Sequence, residues 1–228
     1  MKKDVLKKAF VASVPVLSGY LVIGLSFGVV LQSRGYGPLW SAAMSAFIYA
    51  GSMQFVAVEL MSSAASLFTV ALTTLMVNMR HVFYGLSMVD RYKNTGKARP
   101  YLIFALTDET YSLVCNPPEM APEDEKSFYI LVSVLDHVYW ILGSFLGSLL
   151  GSVLPFSTEG IDFALTALFV SVFAEQWLST KDHVPALLGL GASVLCLLIF
   201  GADNFLIPSM LLILLGLSLY RKREGARA

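Results

Sequence analysis

The sequence predicts an all-α integral membrane protein, a polytopic helical bundle built as two inverted repeats with broken or re-entrant helices. Three observations predict it. The first is composition. The 228 residues are 56% hydrophobic and 14% charged, with a mean hydropathy of +0.69, whereas an average soluble domain is about 25% charged. The second is the spacing of charge. No Lys, Arg, Asp or Glu stands between Lys8 and Arg34, Arg34 and Glu59, Glu59 and Arg80, Asp136 and Glu159, or His183 and Asp203. A spanning helix needs about 20 such residues. The third is the stretch 50–85, apolar or small nearly throughout yet holding Gln54, Glu59, Asn78, Arg80 and His81. At membrane depth each of these is costly and must face protein or a wet cavity.

The elements follow in order. The start, with Lys2, Lys3, Lys7 and Lys8 before an apolar run, resembles a signal peptide. The run is too long and has no clear cleavage site, so it reads as an uncleaved first helix over 10–31. Gly24 and Gly28 in it form a small-xxx-small face for close helix approach. Arg34-Gly35-Tyr36-Gly37-Pro38 is a turn. Apolar segments follow at 39–61, interrupted at Gly51-Ser52, and at 64–88, interrupted from Asn78 to His81. A basic loop carries Arg91, Lys93, Lys97 and Arg99, and a short segment over 101–115 carries Asp108 and Glu109. The 116–126 loop is acidic and Pro-rich. Long apolar segments then occupy 128–154, 161–178, 185–200 and 205–220, before a basic tail.

Basic loops stay cytoplasmic. That rule places both termini and the 91–99 loop inside the cytoplasmic membrane, with the acidic 116–126 loop outside. Three full crossings before residue 90 would put the basic loop on the wrong side. Segment 39–61, with its Gly51 break, is therefore expected to be re-entrant or a pair of half-helices, which requires burial in protein or a cavity. A shift of about 122 residues brings Gly24 and Gly28 near Gly147 and Gly151, Gly37 near Gly160, and Gln54-Phe55 onto Gln176-Trp177. Under the charge assignment 10–31 and 128–154 run in opposite directions. The expectation is one transmembrane domain over 1–228, with inverted halves 9–115 and 127–220, six full crossings and two partial ones.

Broken helices offer free N–H groups for a carboxylate and free C=O groups for a cation. Gly51, Ser52 and Gln54 are thus a candidate cradle for a zwitterion, although Gly51 could serve packing alone and Gln54 could bond a neighbouring helix. Asn78 is a ligand candidate or a helix-to-helix hydrogen bond. Arg80 could hold a substrate carboxylate, snorkel to the interface, or pair with Asp108, Glu109 or Asp136. Asp108, Glu109 and Asp136 are the candidates for proton or ion coupling. Consecutive acids on a helix point about 100° apart, so Asp108 and Glu109 face different places. His81, Asp162, Glu175 and Glu59 are weaker candidates near helix ends or the interface. Cys115 and Cys196 have no metal or disulfide spacing, and no cofactor or P-loop motif occurs. Zero net charge gives no reason to expect a nucleic-acid partner.

These residues resemble the AzlC-type branched-chain amino acid permeases, the large subunit of LIV-E exporters. The matching features are Phe27-Gly28, Ala50-Gly51 with Gln54-Phe55, Asn78-Met79-Arg80-His81 with Tyr84, Thr107-Asp108-Glu109, Trp140 with Gly143 and Gly147, and Gly160-Ile161-Asp162-Phe163. They span about residues 10–220, and Met79 stands where leucine is expected. The resemblance implies export of valine, leucine, isoleucine and related hydrophobic amino acids, and a small AzlD-type membrane subunit. No cytoplasmic coupling loop for an ATPase is recognisable, so secondary transport is expected. A channel-like pore for small solutes is the competing class. An intramembrane enzyme is disfavoured, because Ser87 and His81 do not share a helix face and Gly201-Ala202-Asp203 only faintly resembles an aspartyl protease motif. The preferred amino acid, the coupling ion and any homo-oligomer stay open.

Overall fold

In this computed structural model residues 3–153, 180–201 and 205–225 are described, with isolated positions between 166 and 178. The chain separates into two compact units, Met1–Thr166 and Ala167–Ala228. Among the described residues every regular element is helical, as the sequence predicts.

In the first unit, α1 is Lys3–Ser33, α2 Pro38–Phe47, α3 Gly51–Ser62, α4 Leu67–Val77 and α5 Met79–Tyr92. A 3-10 turn at Gly96–Ala98 leads to α6 Arg99–Phe104, α7 Asp108–Cys115 and α8 Pro122–Val153. Among the described residues, α1 and α8 are the two single helices long and apolar enough to cross a bilayer by length and composition. The breaks expected at Gly51 and at Asn78 are present, and a third divides the 101–115 segment.

The core is the α1–α8 pair, closed by small residues. A side chain at Gly24 would meet Ser144 N at 3.0 Å, and one at Gly143 would meet Tyr20 O at 2.7 Å. At Gly28 it would strike Ser144 O and Ser148 N, and at Gly147 it would strike Leu25 O. Farther along, Ser148 Oγ donates to Gln32 Oε1 at 3.0 Å, and Gly151 faces Gln32 and Val29. Residue numbers rise together along both helices, so the pair is parallel. The charge assignment predicts opposite directions for 10–31 and 128–154, and the register corrects it: these two segments are not inverted equivalents.

Two hairpins insert beside this pair from opposite ends. α2 descends along α8, with Ser41 Oγ donating to Ser144 O at 2.8 Å and His137 Nε2 lying 3.3 Å from Ser45 O. The chain turns at Tyr49, whose φ of +45° is left-handed. α3 climbs back: Gly51 sits against Trp140, Phe55 against Phe27, and Glu59 pairs with Arg34 at 2.8 Å. Segment 39–61 therefore returns to the end it entered from. From the other end, α6 rises until Phe104 meets Tyr49 and His137. α7 then descends until Val114 joins Val5, Tyr92, Leu102 and Phe128 in a hydrophobic cluster. Between the hairpins, α4 and α5 run from one end of the unit to the other with a break at Asn78, and Met88 and Tyr92 of α5 end in the same cluster.

The second hairpin corrects another expectation. The N-terminal lysines, the basic loop and the acidic loop gather at one end: Lys8 Nζ donates to Glu119 O at 2.6 Å, and Arg91 Nη1 to Val114 O at 3.2 Å. The acidic loop is therefore not opposite the basic one. Its Glu123, Asp124 and Glu125 lie in the first turn of α8, where the helix dipole favours them. The physical reason is length. α6 and α7 are about 9 and 12 Å long at about 1.5 Å per residue, far below the ~30 Å of a bilayer core.

The packing is inverted relative to a soluble fold. Ser13, Ser41, Ser45, Gln54, Ser133, Asp136, Ser144 and Ser148 are fully buried, while Val11, Val22, Val138, Leu142 and Leu146 face outward. Apolar surface of this extent suits lipid, and small polar residues let helices approach and bond.

In the second unit, α9 is Val184–Phe200 and α10 is Leu206–Gly225. They are antiparallel, with Leu188 against Gly216 and Tyr220 Oη donating to Asp182 Oδ2 at 2.9 Å. α9 starts with Pro185 in its first turn and stops at Gly201, φ +73°. Most of the segment 161–178, with Asp162, Glu175 and Gln176, lies outside the described residues, as do Gly160 and Asp203.

Candidate functional site

The hairpin tips meet at mid-height on α8, and the broken crossing joins them. Arg80, in the first turn of α5, donates through Nη2 to Ser52 Oγ at 2.7 Å and through Nη1 to Asp108 Oδ2 at 2.5 Å. Ser52 lies in the first turn of α3 and Asp108 opens α7. One guanidinium thus ties three helix N-termini. Arg80 Nε and Asp108 Oδ1 are buried without a hydrogen-bond partner, while the two side chains as wholes keep 32% and 27% exposure. α3 and α5 begin without side-chain caps, so their first amides are available to an anion. α7 is capped, with Thr107 Oγ1 accepting from Thr110 N at 3.3 Å. The arrangement places a cation, two open helix N-termini and a carboxylate within one partly wet space.

Of the sequence-predicted residues, Ser52, Arg80 and Asp108 come together as partners. Gly51 lines the same break and also packs on Trp140, where a Cβ would come within 3.2 Å of the ring. Gln54 takes the structural role: fully buried, it accepts from Trp140 Nε1 at 2.8 Å and donates to Ser45 Oγ at 3.2 Å. Asn78 forms the α4–α5 break, its carbonyl accepting from His81 N at 2.9 Å. Glu109 points away from Asp108, as the 100° spacing requires, and accepts from Tyr20 Oη at 2.8 Å. Asp136 accepts from Thr110 Oγ1 at 2.9 Å. Asp136 therefore does not pair with Arg80, and of the three acids named for that role Asp108 fills it. His137 is held by Ser45 O and Tyr101 Oη and stacks on Tyr49 at 4.2 Å.

Sequence reasoning missed Tyr20 and Tyr49. Both are buried, Tyr20 against Thr107 and Glu109, and Tyr49 at the first hairpin's tip with its hydroxyl unbonded. A hydroxyl inside an uncharged run was the available signal for Tyr20, since a buried tyrosine tip needs a partner. The left-handed φ at Tyr49 has no sequence signature, because the flexible glycine stands two positions later.

The family described as AzlC protein matches residues 15–154. The branched-chain amino acid transport protein AzlC of Bacillus subtilis is 43% identical over 216 residues, covering 95% of this chain and 85% of that protein. An uncharacterized membrane protein of Helicobacter pylori (strain ATCC 700392 / 26695) is 45% identical over 217 residues, covering 95% of each. The inner membrane protein YgaZ of Escherichia coli is 31% identical over 170 residues, covering 70% of this chain and 68% of that one. No solved structure matches the chain. With both hairpins, the Arg80 junction and the α1–α8 seam inside the matched residues, the chain belongs to the AzlC family.

Proposed function

We propose that this protein is a secondary transporter that exports branched-chain and related hydrophobic amino acids, valine, leucine and isoleucine among them, across the cytoplasmic membrane. One observation carries the reading: Arg80 and Asp108, each with a free hydrogen-bonding atom, stand where two opposed hairpin tips and the open N-termini of α3 and α5 converge. An amino acid carries a carboxylate and an ammonium. The carboxylate takes Arg80, Ser52 and the amides at Gly51; the ammonium takes Asp108. The internal ion pair is exchanged for two pairs with substrate, which keeps both charges compensated during passage. The name of the Bacillus relative supports branched-chain substrates.

Charge supports the orientation. Lys3, Lys7, Lys8, Arg91, Lys93, Lys97 and Arg99 belong to one end, which is cytoplasmic on the positive-inside rule. α1, the α4–α5 pair and α8 then cross fully, and the two hairpins enter from opposite faces. The count expected from the sequence, six full crossings and two partial ones with a cytoplasmic C-terminus, is compatible with this layout. Glu109 and Asp136 are the coupling acids. A small AzlD-type subunit is the expected membrane partner, and assembly into a homo-oligomer is compatible with this layout.

Opposed hairpins also build pores, so the test must separate carrier from channel. Cells preloaded with labelled valine from a dipeptide, with the chain expressed alone and with a small partner subunit, are followed for efflux. Saturable efflux that prefers L-valine over D-valine is expected. Flux linear in concentration without stereoselectivity indicates a channel, and no efflux above the empty control under either condition overturns the substrate assignment.

A further inference from the structure

Glu109 and Asp136 are the ends of one hydrogen-bonded chain. Tyr20 Oη lies 2.8 Å from Glu109 Oε2 and 2.7 Å from Thr107 Oγ1; Thr107 Oγ1 lies 3.1 Å from Thr110 Oγ1, which lies 2.9 Å from Asp136 Oδ2. The count of hydrogens is informative. Four oxygen–oxygen contacts join two carboxyl groups through three hydroxyls, and each hydroxyl supplies one hydrogen. If both acids are ionised, Tyr20 donates to Glu109 while Thr107 and Thr110 donate toward Asp136. The 2.7 Å contact between Tyr20 and Thr107 is then left without a hydrogen. A fourth hydrogen, on one of the acids, satisfies all four contacts.

We propose that Glu109 and Asp136 share a single proton through Tyr20, Thr107 and Thr110, and that this chain is the proton-coupling element of the transporter. The proposal rests on the transport reading above. With the proton on Glu109, Glu109 donates to Tyr20, Tyr20 to Thr107, Thr107 to Thr110 and Thr110 to Asp136. Transfer breaks four O–H bonds and forms four, each hydrogen moving one contact along. Glu109 ends as the carboxylate, Asp136 as the acid, and every hydroxyl points the other way. The total number of protons is unchanged.

The chain bridges three separate elements. Tyr20 belongs to α1, Asp136 to α8, and Thr107, Glu109 and Thr110 to the tip of the second hairpin. A shift of that tip opens or closes the chain, which is what coupling a proton to a hairpin's position requires. The surrounding ionisable groups are otherwise engaged: Asp108 takes Arg80, and His137 turns to Ser45 O and Tyr101. Tyr49 faces Tyr20, Thr110 and Asp136 with its hydroxyl unbonded, and Asp136 Oδ1 is also bare. Bare polar atoms in a buried network are costly, so this is where the tip has room to form new bonds.

Infrared difference spectroscopy of the purified full chain tests the proposal without any transport assay, so its failure is distinct from failure of the substrate assignment. The wild type is expected to show a carboxylic-acid C=O band at neutral pH. Glu109→Gln and Asp136→Asn each supply the missing hydrogen from an amide, so either single variant is expected to abolish that band. A wild type without the band, or a band surviving in either single variant, overturns the proposal. Tyr20→Phe keeps both acids and cuts the chain, and is the second variant should an amide variant not fold. Its band is expected to shift or vanish, and an unchanged band contradicts the shared proton.

Discussion

Arg80→Ala is expected to lower valine efflux at least 30-fold at equal protein level. The guanidinium bonds both hairpin tips, Ser52 at 2.7 Å and Asp108 at 2.5 Å. Truncating one member of a buried, hydrogen-bonded charge pair costs about 2–5 kcal/mol, and about 1.4 kcal/mol is tenfold. Stability falls as well, because Asp108 loses its countercharge. That loss is set at about 1–3 kcal/mol, below the 3–5 kcal/mol of a fully buried pair, since the two side chains keep 32% and 27% exposure. Arg80→Lys keeps the charge without the planar fork and is expected to fall between wild type and alanine. The pair Arg80→Gln with Asp108→Asn separates structure from transport. Neutralising both is expected to recover most of the lost thermal stability and none of the efflux. Recovery of both would make the ion pair a scaffold alone.

Gly28→Ala and Gly147→Ala are expected to give little or no folded protein. A methyl group at Gly28 meets Ser144 O and Ser148 N, and one at Gly147 meets Leu25 O. These are main-chain atoms of the partner helix and cannot turn aside as a side chain would. Overpacking costs about 1–3 kcal/mol and at times more, and separating the α1–α8 pair also opens the core that both hairpins lean on. Position decides the size of the effect. Gly24→Ala, 3.0 Å from Ser144 N, is expected to be milder, and Gly19→Ala, with nothing within 4 Å, neutral. Thermal unfolding of the purified variants in detergent measures this order.

Much of this architecture was legible in the sequence because the bilayer leaves few options. Apolar run lengths located α1 and α8, and the Gly24–Gly28 spacing identified a packing face. The parity of the basic loop required that one early segment turn back, and the Gly51 break named which. The second hairpin was not legible, because a short apolar segment with two acids reads equally as an exposed connection. Missing that hairpin reversed the side of the acidic loop and the direction of α8 together. At the site, charge in an apolar run pointed to Arg80, Asp108, Glu109 and Asp136, but spacing could not say which acid faced which cation. The hydroxyls of Tyr20, Thr107 and Thr110 entered only with the fold, since they come from separate helices and their chain exists only when α1, α7 and α8 meet. Gln54 read as a ligand candidate and proved to be bonded on both sides within the protein.

The central claim is that two hairpins enter from opposite faces of the membrane and meet at Arg80. Single cysteines probed with a membrane-impermeant thiol reagent test it most directly, in a chain carrying Cys115→Ser and Cys196→Ser. Ser33→Cys and Ser63→Cys flank the first hairpin; Asn94→Cys and Glu119→Cys flank the second, and all four positions are exposed. The fold predicts that positions 33 and 63 react from the outer face and positions 94 and 119 from the cytoplasmic face. Labelling of 33 and 63 from opposite faces, or of 94 and 119 from opposite faces, would make that hairpin a full crossing and contradict the account.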